Sequence, residues 1–405
     1  MTQPRTYFDH AATSWPRLPG VVEAMVAFES RGGASVGRGS HRSAIEAGRI
    51  VEMLRAALAS TINAQADELA FFANGTAANN YALAGLLRPG DHAVTTAAEH
   101  NSVLRPLKLL ERQRGIRFDV VPVDSVGRVD PERIAASIEP RTRLVVVGSA
   151  SNVTGAAQDL SAIGRVCREA GVIFMVDAAQ SFGYLPIDVR QVGIDLLAAP
   201  GHKAAGGPLG TGLLYAAGRL HADWMPLWIG GTGQASESLE GDFAWQEVAE
   251  SGNRNAAALA GWLAGVRYGA TADGKADRDA WRERLRRLVE LLREAPFGRV
   301  IGHREASDIS DAYVPVVSVD CSAGAAGMDA AEWAALLDAS FGIEVRSGLH
   351  CAALIHSSIG TAAAGGTLRF SIGHTTREAD LDALQAAVEQ LSAAFPAAET
   401  STGRR

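Results

Sequence analysis

The sequence predicts an α/β protein with a mostly parallel sheet, followed by a smaller α+β region. Short apolar runs that suit buried strands alternate with helical patterns through the first part of the chain. Several of these runs end directly on polar or glycine-rich segments, as the ligand-binding strands of open α/β sheets do. After about Ala256 the alternation becomes less regular. We therefore expect a large domain over residues 15–255, a small domain over 1–14 and 256–395, and a disordered tail over 396–405.

The overall composition is that of a soluble enzyme with an ample core. The 405 residues are 47% hydrophobic and 20% charged, and their formal net charge of -7 argues against nucleic acid as a partner. Neither an N-terminal signal region nor a run long enough to span a bilayer is apparent. The three cysteines are too few for a disulfide framework. Together these features predict a cytoplasmic protein without a membrane partner.

The N-terminal region predicts two helices joined by an irregular loop. Proline and glycine open a helical pattern from Pro19 to Glu29. The segment from Gly32 to Arg42 is too rich in glycine and serine for regular structure. Apolar residues near helical spacing then predict an amphipathic helix from Ile45 to Ile62.

A strand followed by a glycine turn predicts an anion site early in the sheet. Leu69 to Ala73 is an apolar run, and Asn74, Gly75 and Thr76 open the next helical pattern. Free backbone N–H groups and the helix dipole converge at a helix N-terminus, so that such a turn attracts anions.

Two later strands also end close to polar residues. The predicted strand from Asp91 to Thr96 precedes His100, and the one from Arg143 to Gly148 precedes Asn152. Since the pKa of an imidazole lies near neutrality, a histidine in such a place can transfer protons.

The stretch with the clearest chemistry delivers an acid and a lysine from two apolar runs. Val172 to Val176 ends on Asp177, and Ile194 to Ala199 is followed by Lys203 after Gly-His. In an open α/β sheet both side chains then lie in the crevice at the carboxyl ends of the strands. Burial of an unpaired lysine is costly, and the same desolvation makes its amine a good nucleophile.

The C-terminal part predicts two further strands, one of them around Arg369, and three helices before the tail. The other strand covers Val314 to Val319, and the helices cover Arg282 to Glu294, Ala330 to Phe341 and Asp380 to Phe395. The alternating charges of the first of these helices indicate a solvated face.

A cysteine and an arginine in this part are candidates for chemistry. Cys351 lies in a glycine- and serine-rich loop, which predicts an exposed thiol, and His350 or His356 is expected to supply a nearby cation or base. The predicted strand around Arg369 presents a guanidinium, which binds carboxylates in a planar, bidentate way. Cys167 and Cys321 have no such context.

The motifs that contain these residues resemble one family. VDAAQ, GHK, EHNSVLRPL, RSGLHCA and GTLRFS are similar to segments of the class V aminotransferase branch of pyridoxal phosphate (PLP) enzymes of fold type I. Within that branch the short R-S-G-L-H-C-A loop resembles the cysteine desulfurases with a short catalytic loop. The resemblance runs from Tyr7 to about Leu391. It implies a large domain with a mostly parallel sheet of the seven-stranded type, a small domain, and a homodimer.

The resemblance also implies roles for individual residues. Lys203 would be attached covalently to PLP, Asp177 would pair with the pyridine nitrogen, and Gln180 would bond the ring hydroxyl. His100 would stack on the ring and transfer protons, while Cys351 would accept the substrate sulfur. Further cofactor contacts are implied for Gly75, Thr76, Asn152, His202 and Thr232, the last across the dimer interface. Substrate contacts are implied for Arg369, Asn152 and Ala12. No metal site is expected.

The chain departs from the family pattern at two positions of the predicted site. His10 stands where the family usually has asparagine, and Pro200 stands where a serine commonly bonds the phosphate. Arg38 and His41 match a loop that, in the family, reaches toward the active site of the partner subunit.

The expected function is that of a PLP-dependent cysteine desulfurase, which converts L-cysteine to L-alanine and leaves the sulfur as a persulfide on Cys351. Selenocysteine lyase is an alternative with the same residues in the same roles. A class V aminotransferase or epimerase that does not use Cys351 is another.

A nicotinamide-dependent oxidoreductase is disfavoured, because no G-x-G-x-x-G opens a helix after the first strand. A binding protein without catalytic activity is disfavoured by the full set of reactive groups. Besides the substrate, L-cysteine or L-selenocysteine, a sulfur-acceptor protein is an expected partner.

Overall fold

Two sheets organise the chain. The computed structural model describes residues 5–31, 33–37, 39–231, 243–303 and 312–396. Among the helices of these ranges, none is both long enough and apolar enough to cross a membrane.

The larger sheet has seven strands and follows a short N-terminal strand, β1 (Thr6–Tyr7). Its strands are β2 (Leu69–Phe72), β3 (His92–Thr96), β4 (Arg117–Val121), β5 (Thr142–Gly148), β6 (Ile173–Asp177), β7 (Leu196–Pro200) and β8 (Gly212–Ala216). The strand order is β2-β8-β7-β6-β5-β3-β4, and the β4-β3-β5-β6-β7 ladder is parallel throughout. Only β8 runs against its two neighbours. The predicted α/β class with a mostly parallel sheet is therefore confirmed.

The smaller sheet has four antiparallel strands. The remaining strands are β9 (Arg299–Ile301), β10 (Val316–Asp320), β11 (Ile343–Glu344), β12 (Arg346–Gly348) and β13 (Thr367–Ser371). Four of them form a sheet in the order β12-β13-β10-β9, while β11 pairs with β1 in parallel. The N-terminal residues are thus tied to the C-terminal half of the chain.

Helices cover both sheets. They are α1 (Val21–Ser30), α2 (Arg42–Thr61), α3 (Gly75–Leu86), α4 (Asn101–Arg114), α5 (Pro131–Ser137), α6 (Leu160–Ala170), α7 (Val189–Val192), α8 (Trp245–Ala249), α9 (Ala256–Ala270), α10 (Ala272–Asp279), α11 (Trp281–Glu294), α12 (Ala330–Phe341), α13 (Ile355–Ile359) and α14 (Glu378–Ala394). The predicted helix from Ala330 to Phe341 coincides with α12, and the other predicted helices differ from the observed ones by a few residues at their ends.

The larger sheet is buried on both faces, which is why its strands are apolar throughout. In β5, Val145 and Val147 belong to one apolar cluster, whereas Leu144 and Val146 belong to another on the opposite face. Such two-sided burial is typical of parallel sheets covered by helices. The edge strand β4 is partly exposed and was not predicted, because its sequence RFDVV lacks a continuous apolar run.

The packing of α9 bears on the division into domains. Leu259, Trp262 and Leu263 of α9 belong to the core of the larger sheet. The smaller sheet has its own core, which includes Trp281 and Trp333. The predicted boundary at residue 255 stays a prediction, and this packing favours a boundary beyond α9. The predicted tail lies almost wholly outside the described residues.

Candidate active site

A cavity of about 230 Å³ lies at the carboxyl ends of the parallel strands. Strands β3, β5, β6 and β7 end beside it, since their last residues, or the residues directly after them, are part of its wall. It brings together the predicted site residues Ala12, Gly75, Thr76, His100, Asn152, Asp177, Gln180, His202, Lys203 and Arg369. Residues that are up to 357 positions apart in sequence, Ala12 and Arg369, therefore line one cavity.

One end of the cavity is the N-terminus of α3. Asn74 caps this helix, and its Oδ1 accepts a hydrogen bond of 2.8 Å from the backbone N–H of Ala77. The first backbone N–H groups of a helix have no partner within it, so that those of Gly75 and Thr76 suit an anion. A Cβ on Gly75 would lie 3.2 Å from Cδ of Pro200, which leaves little room for a larger residue at this turn. Pro200 therefore packs against the turn at the N-terminus of α3.

A buried carboxylate, that of Asp177, lies in the wall of the cavity. We call Asp177 and the side chains that surround it the floor of the cavity. Asp177 is 6% exposed. Its Oδ2 accepts hydrogen bonds from Asn79 Nδ2 at 2.7 Å and from Ser102 Oγ at 3.3 Å. Its Oδ1 accepts one from the backbone N–H of Ala179 at 3.0 Å. Three donors from three segments thus fix the orientation of the carboxylate.

Lys203 follows β7 and lines the same cavity. Burial, together with the positive charges of Arg369 and Arg346, lowers the pKa of its amine to about 8, against the opposing charge of Asp177. A lysine whose pKa is lowered in this way is partly unprotonated near neutral pH, and the free amine is the nucleophile.

His100 caps a helix beside the cavity, and its imidazole is neutral. It caps α4, because its Nδ1 accepts a hydrogen bond of 3.0 Å from the backbone N–H of Ser102. Burial lowers the pKa of the imidazole, and Lys203 and Arg346 contribute in the same direction, while Asp177 opposes them. The ring is therefore neutral, with its proton on Nε2, since Nδ1 is occupied as an acceptor.

Arg369 is held by the main chain and by an acid from the N-terminal segment. It is 1% exposed and lies on β13. Its Nη1 donates to the carbonyl oxygen of Asn152 at 3.1 Å, and its Nη2 donates to Oδ1 of Asp9 at 2.6 Å. Its Nε has no hydrogen-bond partner among the described residues. The arginine thus retains one unsatisfied donor in a buried place.

Gln180 and His202 connect the cavity to the N-terminal segment. Gln180 Nε2 donates to the carbonyl oxygen of Ala11 at 3.1 Å. His202 Nδ1 lies 3.1 Å from Thr13 Oγ1, and burial lowers the pKa of this imidazole to about 4, with further contributions from Lys203 and Arg17. His202 is therefore a neutral ring near neutral pH.

Cys351 is exposed and lies beside the cavity, not in its wall. We call residues 346–351 the cysteine loop. The Sγ atom of Cys351 is 3.5 Å from Nη2 of Arg346, and Arg346 does line the cavity. The backbone adopts positive φ angles at His350 (50°) and at Cys351 (59°). The N–H of Asn101 donates to the carbonyl oxygen of Cys351 at 2.8 Å, so that the loop is tied to the start of α4.

Sequence analysis predicts that His350 or His356 supplies a cation or a base for Cys351, and neither of them is a cation in the structure. His350 Nε2 bonds Thr367, and burial, together with Arg369 and Arg346, lowers the pKa of its imidazole to about 2. His356 is likewise buried, its Nδ1 bonds a threonine at 2.7 Å, and burial lowers its pKa. Neither ring carries a positive charge near neutral pH, whereas Arg346 does.

Some of the other predicted positions have structural roles or lie outside the described residues. His10 is 3% exposed and lies 3.2 Å from Thr376 Oγ1, so it joins the N-terminal segment to the C-terminal half. His41 caps α2. Thr232 and Arg38 lie outside the described residues. Cys167 and Cys321, for which the sequence gives no reactive context, are buried, and burial raises the pKa of each thiol to about 12.

Sequence reasoning missed five side chains of the site. They are Asp9, Asn79, Glu99, Ser102 and Arg346. Three of them lie inside motifs that were recognised: Glu99 and Ser102 in EHNSVLRPL, and Arg346 in RSGLHCA. Asn79, a polar residue on an otherwise apolar face of α3, is the one that a helical projection could have found.

The cavity fits PLP by the chemistry of its walls. A helix N-terminus suits the phosphate, a buried carboxylate suits a protonated ring nitrogen, and a lysine with a lowered pKa suits an aldehyde. These three groups are Thr76 with its helix, Asp177 and Lys203, and all of them face one enclosed space.

Comparison with known proteins agrees with the fold and with the cavity. The family model for Aminotransferase class-V matches residues 6–384. A probable cysteine desulfurase of Methanothermobacter thermautotrophicus is 33% identical over 392 residues, which cover 95% of this chain and 94% of the relative. The cysteine desulfurase CsdA of Escherichia coli is 30% identical over 393 residues, with 95% and 93% covered.

A solved structure shows the same architecture. The apo structure of a cysteine desulfurase from Thermococcus onnurineus NA1 superposes with a TM-score of 0.86 at 30% identity, over 96% of this chain and 95% of that one. A family match over nearly the whole length, full-length relatives and a common fold lead to one conclusion. This chain belongs to the class V aminotransferase family of PLP-dependent enzymes.

Proposed function

We propose that the protein is a PLP-dependent cysteine desulfurase that converts L-cysteine to L-alanine and receives the sulfur on Cys351. The observation that supports this most directly is the exposed thiol of Cys351, 3.5 Å from the guanidinium of Arg346, beside a cavity with a reactive lysine and a buried acid. An aminotransferase needs the lysine and the acid but has no use for the thiol.

The cofactor would be held at three points. Lys203 would bond its aldehyde carbon, Asp177 would face its ring nitrogen, and the N-terminus of α3 at Gly75 and Thr76 would receive its phosphate. His100 and Gln180 are the proposed neighbours of the ring. When bound, PLP acts as an electron sink that makes the α-proton of an amino acid removable.

The substrate would be oriented by its carboxylate. The buried guanidinium of Arg369 is the proposed partner, and its unsatisfied Nε is a donor that a carboxylate oxygen can use. Asp9 and the carbonyl oxygen of Asn152 hold the rest of the guanidinium in place. Lys203, with its pKa of about 8, is the residue that we propose as the base for the α-proton of the substrate.

The sulfur transfer would take place at Cys351. Only the thiolate is nucleophilic, and a guanidinium 3.5 Å from Sγ stabilises a negative charge on it. The thiolate sulfur attacks Sγ of the substrate, the substrate Cβ–S bond breaks with its electron pair left on carbon, and protonation of that carbon leads to alanine. One cysteine and one enzyme thiol thus give one alanine and one enzyme persulfide, with no external oxidant.

The test is to incubate the enzyme with L-cysteine in the absence of reductant and to measure alanine, the intact mass and a peptide map. We expect one extra sulfur on Cys351 and an equal amount of alanine. Cys351→Ser should form neither, whereas the control Cys321→Ser, at a buried thiol, should behave like the parent. Undiminished alanine formation by Cys351→Ser would contradict the proposal. Activity of that variant on L-selenocysteine alone would instead favour the lyase.

The exposure of Cys351 also supports a partner. A persulfide at an exposed position can be reached by a second protein, and we propose an acceptor protein that takes the sulfur from it. We further propose that the enzyme is a cytoplasmic homodimer in which Thr232 of one subunit serves the cofactor of the other. Light scattering of the PLP-loaded protein tests the dimer, and a fully active, loaded monomer would contradict it.

A further inference from the structure

The cavity has a second buried carboxyl group that the proposed mechanism does not use. Glu99 is 1% exposed and lies directly before His100, between β3 and α4. Its Oε1 accepts two hydrogen bonds, from Thr96 Oγ1 at 2.7 Å and from the backbone N–H of Gly148 at 3.0 Å. Its Oε2 is buried without a hydrogen-bond partner among the described residues.

The surroundings of Oε2 explain why it is unpaired. A Cβ placed on Gly148 would lie 3.3 Å from this oxygen, so that Oε2 faces a glycine that has no side chain to donate a hydrogen bond. An ionised carboxylate with one oxygen buried and unpaired is costly, because a charge needs partners on both oxygens when water is excluded. A protonated carboxyl group has no net charge and meets this environment at a lower cost.

The sheet also places Glu99 close to the acid of the floor. Gly148, which donates to Glu99, is paired in register with Asp177 across β5 and β6. The negative charge of Asp177 therefore disfavours a second ionised carboxylate at Glu99. Asp177 accepts three hydrogen bonds and Glu99 accepts two, both on one oxygen, so the proton belongs to Glu99.

We propose that Glu99 is a neutral carboxylic acid in the working enzyme, which leaves Asp177 as the only negatively charged side chain among the described residues of the cavity wall. The proposal rests on the proposed function only in so far as PLP needs that single charge. Burial raises the pKa of Glu99 to about 8, and the charge of Asp177 adds to the effect, while the bonds from Gly148 and Thr96 oppose it. The other titratable or charged groups of the wall are His100, His202, Lys203, Arg346, His350 and Arg369.

The proposal determines the sign of a pH effect on stability. Between the ordinary value of 4.5 and about 8, the folded state keeps the proton of Glu99 that the unfolded state has lost. The free energy of unfolding therefore decreases as the pH rises through this range, and levels off above it. Glu99→Gln removes that dependence, since an amide does not titrate. We expect the difference in melting temperature, Glu99→Gln minus parent, to increase steadily from pH 4.5 to 8 in the holoenzyme.

Glu68→Gln is the matched control. Glu68 is also a buried carboxyl group, at 6% exposure, but it pairs with Arg190. Burial alone would raise its pKa, yet the hydrogen bonds from Gln65, Arg190 and Gly218 lower it. The same substitution there should lower the melting temperature near neutral pH, which is the opposite sign.

Infrared spectroscopy of the parental holoenzyme gives a second readout that needs no variant. The carbonyl band of a protonated carboxylic acid should be present at neutral pH, shift when glutamate is labelled with ¹³C, and disappear as the pH passes about 8. Glu99→Gln should lack it. If no such band exists, or if Glu99→Gln lowers the melting temperature near neutral pH as Glu68→Gln does, the proposal is wrong. Since neither readout depends on turnover, both distinguish this failure from a failure of the desulfurase assignment.

Discussion

The floor of the cavity and the cysteine loop meet opposite requirements within one site. On the floor, Asp177 is buried and three donors from separate segments fix its oxygens. In the loop, Cys351 is exposed, its thiol accepts a hydrogen bond from Arg346 Nη2 at 3.5 Å, and its backbone is left-handed. One region keeps a charge in place, and the other presents an atom to its surroundings.

This difference follows from the chemistry of the two regions. A charge that must act on a cofactor is most effective when it is buried and already oriented. A sulfur that must leave the site has to be reachable from outside. Two hydrogen bonds attach the loop to the cavity without enclosing the thiol: the backbone N–H of Asn101 donates to the carbonyl oxygen of Cys351 at 2.8 Å, and the side-chain Nδ2 of Asn152 donates to that of His350 at 2.6 Å.

The largest effect is expected from the loss of Lys203. Lys203→Ala should abolish desulfuration and the visible absorbance of a lysine-bound cofactor, because no other amine replaces it in the cavity wall. Borohydride treatment of the parent should fix the cofactor to Lys203 by mass spectrometry. Lys275→Ala, at an exposed lysine, is the control. A borohydride-stable adduct on a different lysine would contradict the assignment.

Arg369→Gln should have the next largest effect. Removing one partner of a buried, charged contact costs roughly 2–5 kcal/mol, so kcat/KM for L-cysteine should fall by more than an order of magnitude. Steady-state kinetics measures this, with Arg299→Gln at a mostly exposed side chain as the control. Kinetics near the parental values would show that another group binds the carboxylate.

Arg346→Gln tests the contribution of Arg346 to the reactivity of the Cys351 thiol. Without the guanidinium 3.5 Å from Sγ, the thiol loses a charged hydrogen-bond donor, and the rate of alkylation of Cys351 by iodoacetamide should fall several-fold. Arg346→Lys should have an intermediate rate. PLP binding should change little in both variants. An unchanged rate of alkylation would mean that Arg346 does not act on the thiol and that it serves the substrate alone.

Ser102→Ala should have the smallest effect. Its hydroxyl lies 2.9 Å from His100 Nδ1 and 3.3 Å from Asp177 Oδ2, but the backbone N–H that caps α4 remains. The loss of one such hydrogen bond costs about 1 kcal/mol, which predicts a few-fold weaker binding of PLP. Fluorescence titration of the apoprotein measures it. If Ser102→Ala weakened PLP binding as severely as Lys203→Ala does, the hydroxyl itself would take part in the reaction.

The sequence by itself determined the parts of the site that lie at the ends of strands. Asp177, Lys203 and the turn at Gly75 follow apolar runs, and parallel strands bring their carboxyl ends to one edge whatever their order. The apolar strands and the helices α1, α2, α11, α12 and α14 could be predicted for the same reason, since buried strands and amphipathic helices leave periodic patterns. The partly exposed β4 leaves no such pattern.

Only the tertiary structure decided which charges meet. The pairing of Arg369 with Asp9 joins the two ends of the chain, and the neutral state of His350 depends on its burial beside two arginines. Charge states and long-range hydrogen bonds depend on which groups exclude water from one another, and sequence spacing does not contain that information. This is why the motif located Cys351, whereas the fold alone identified Arg346 as its cation.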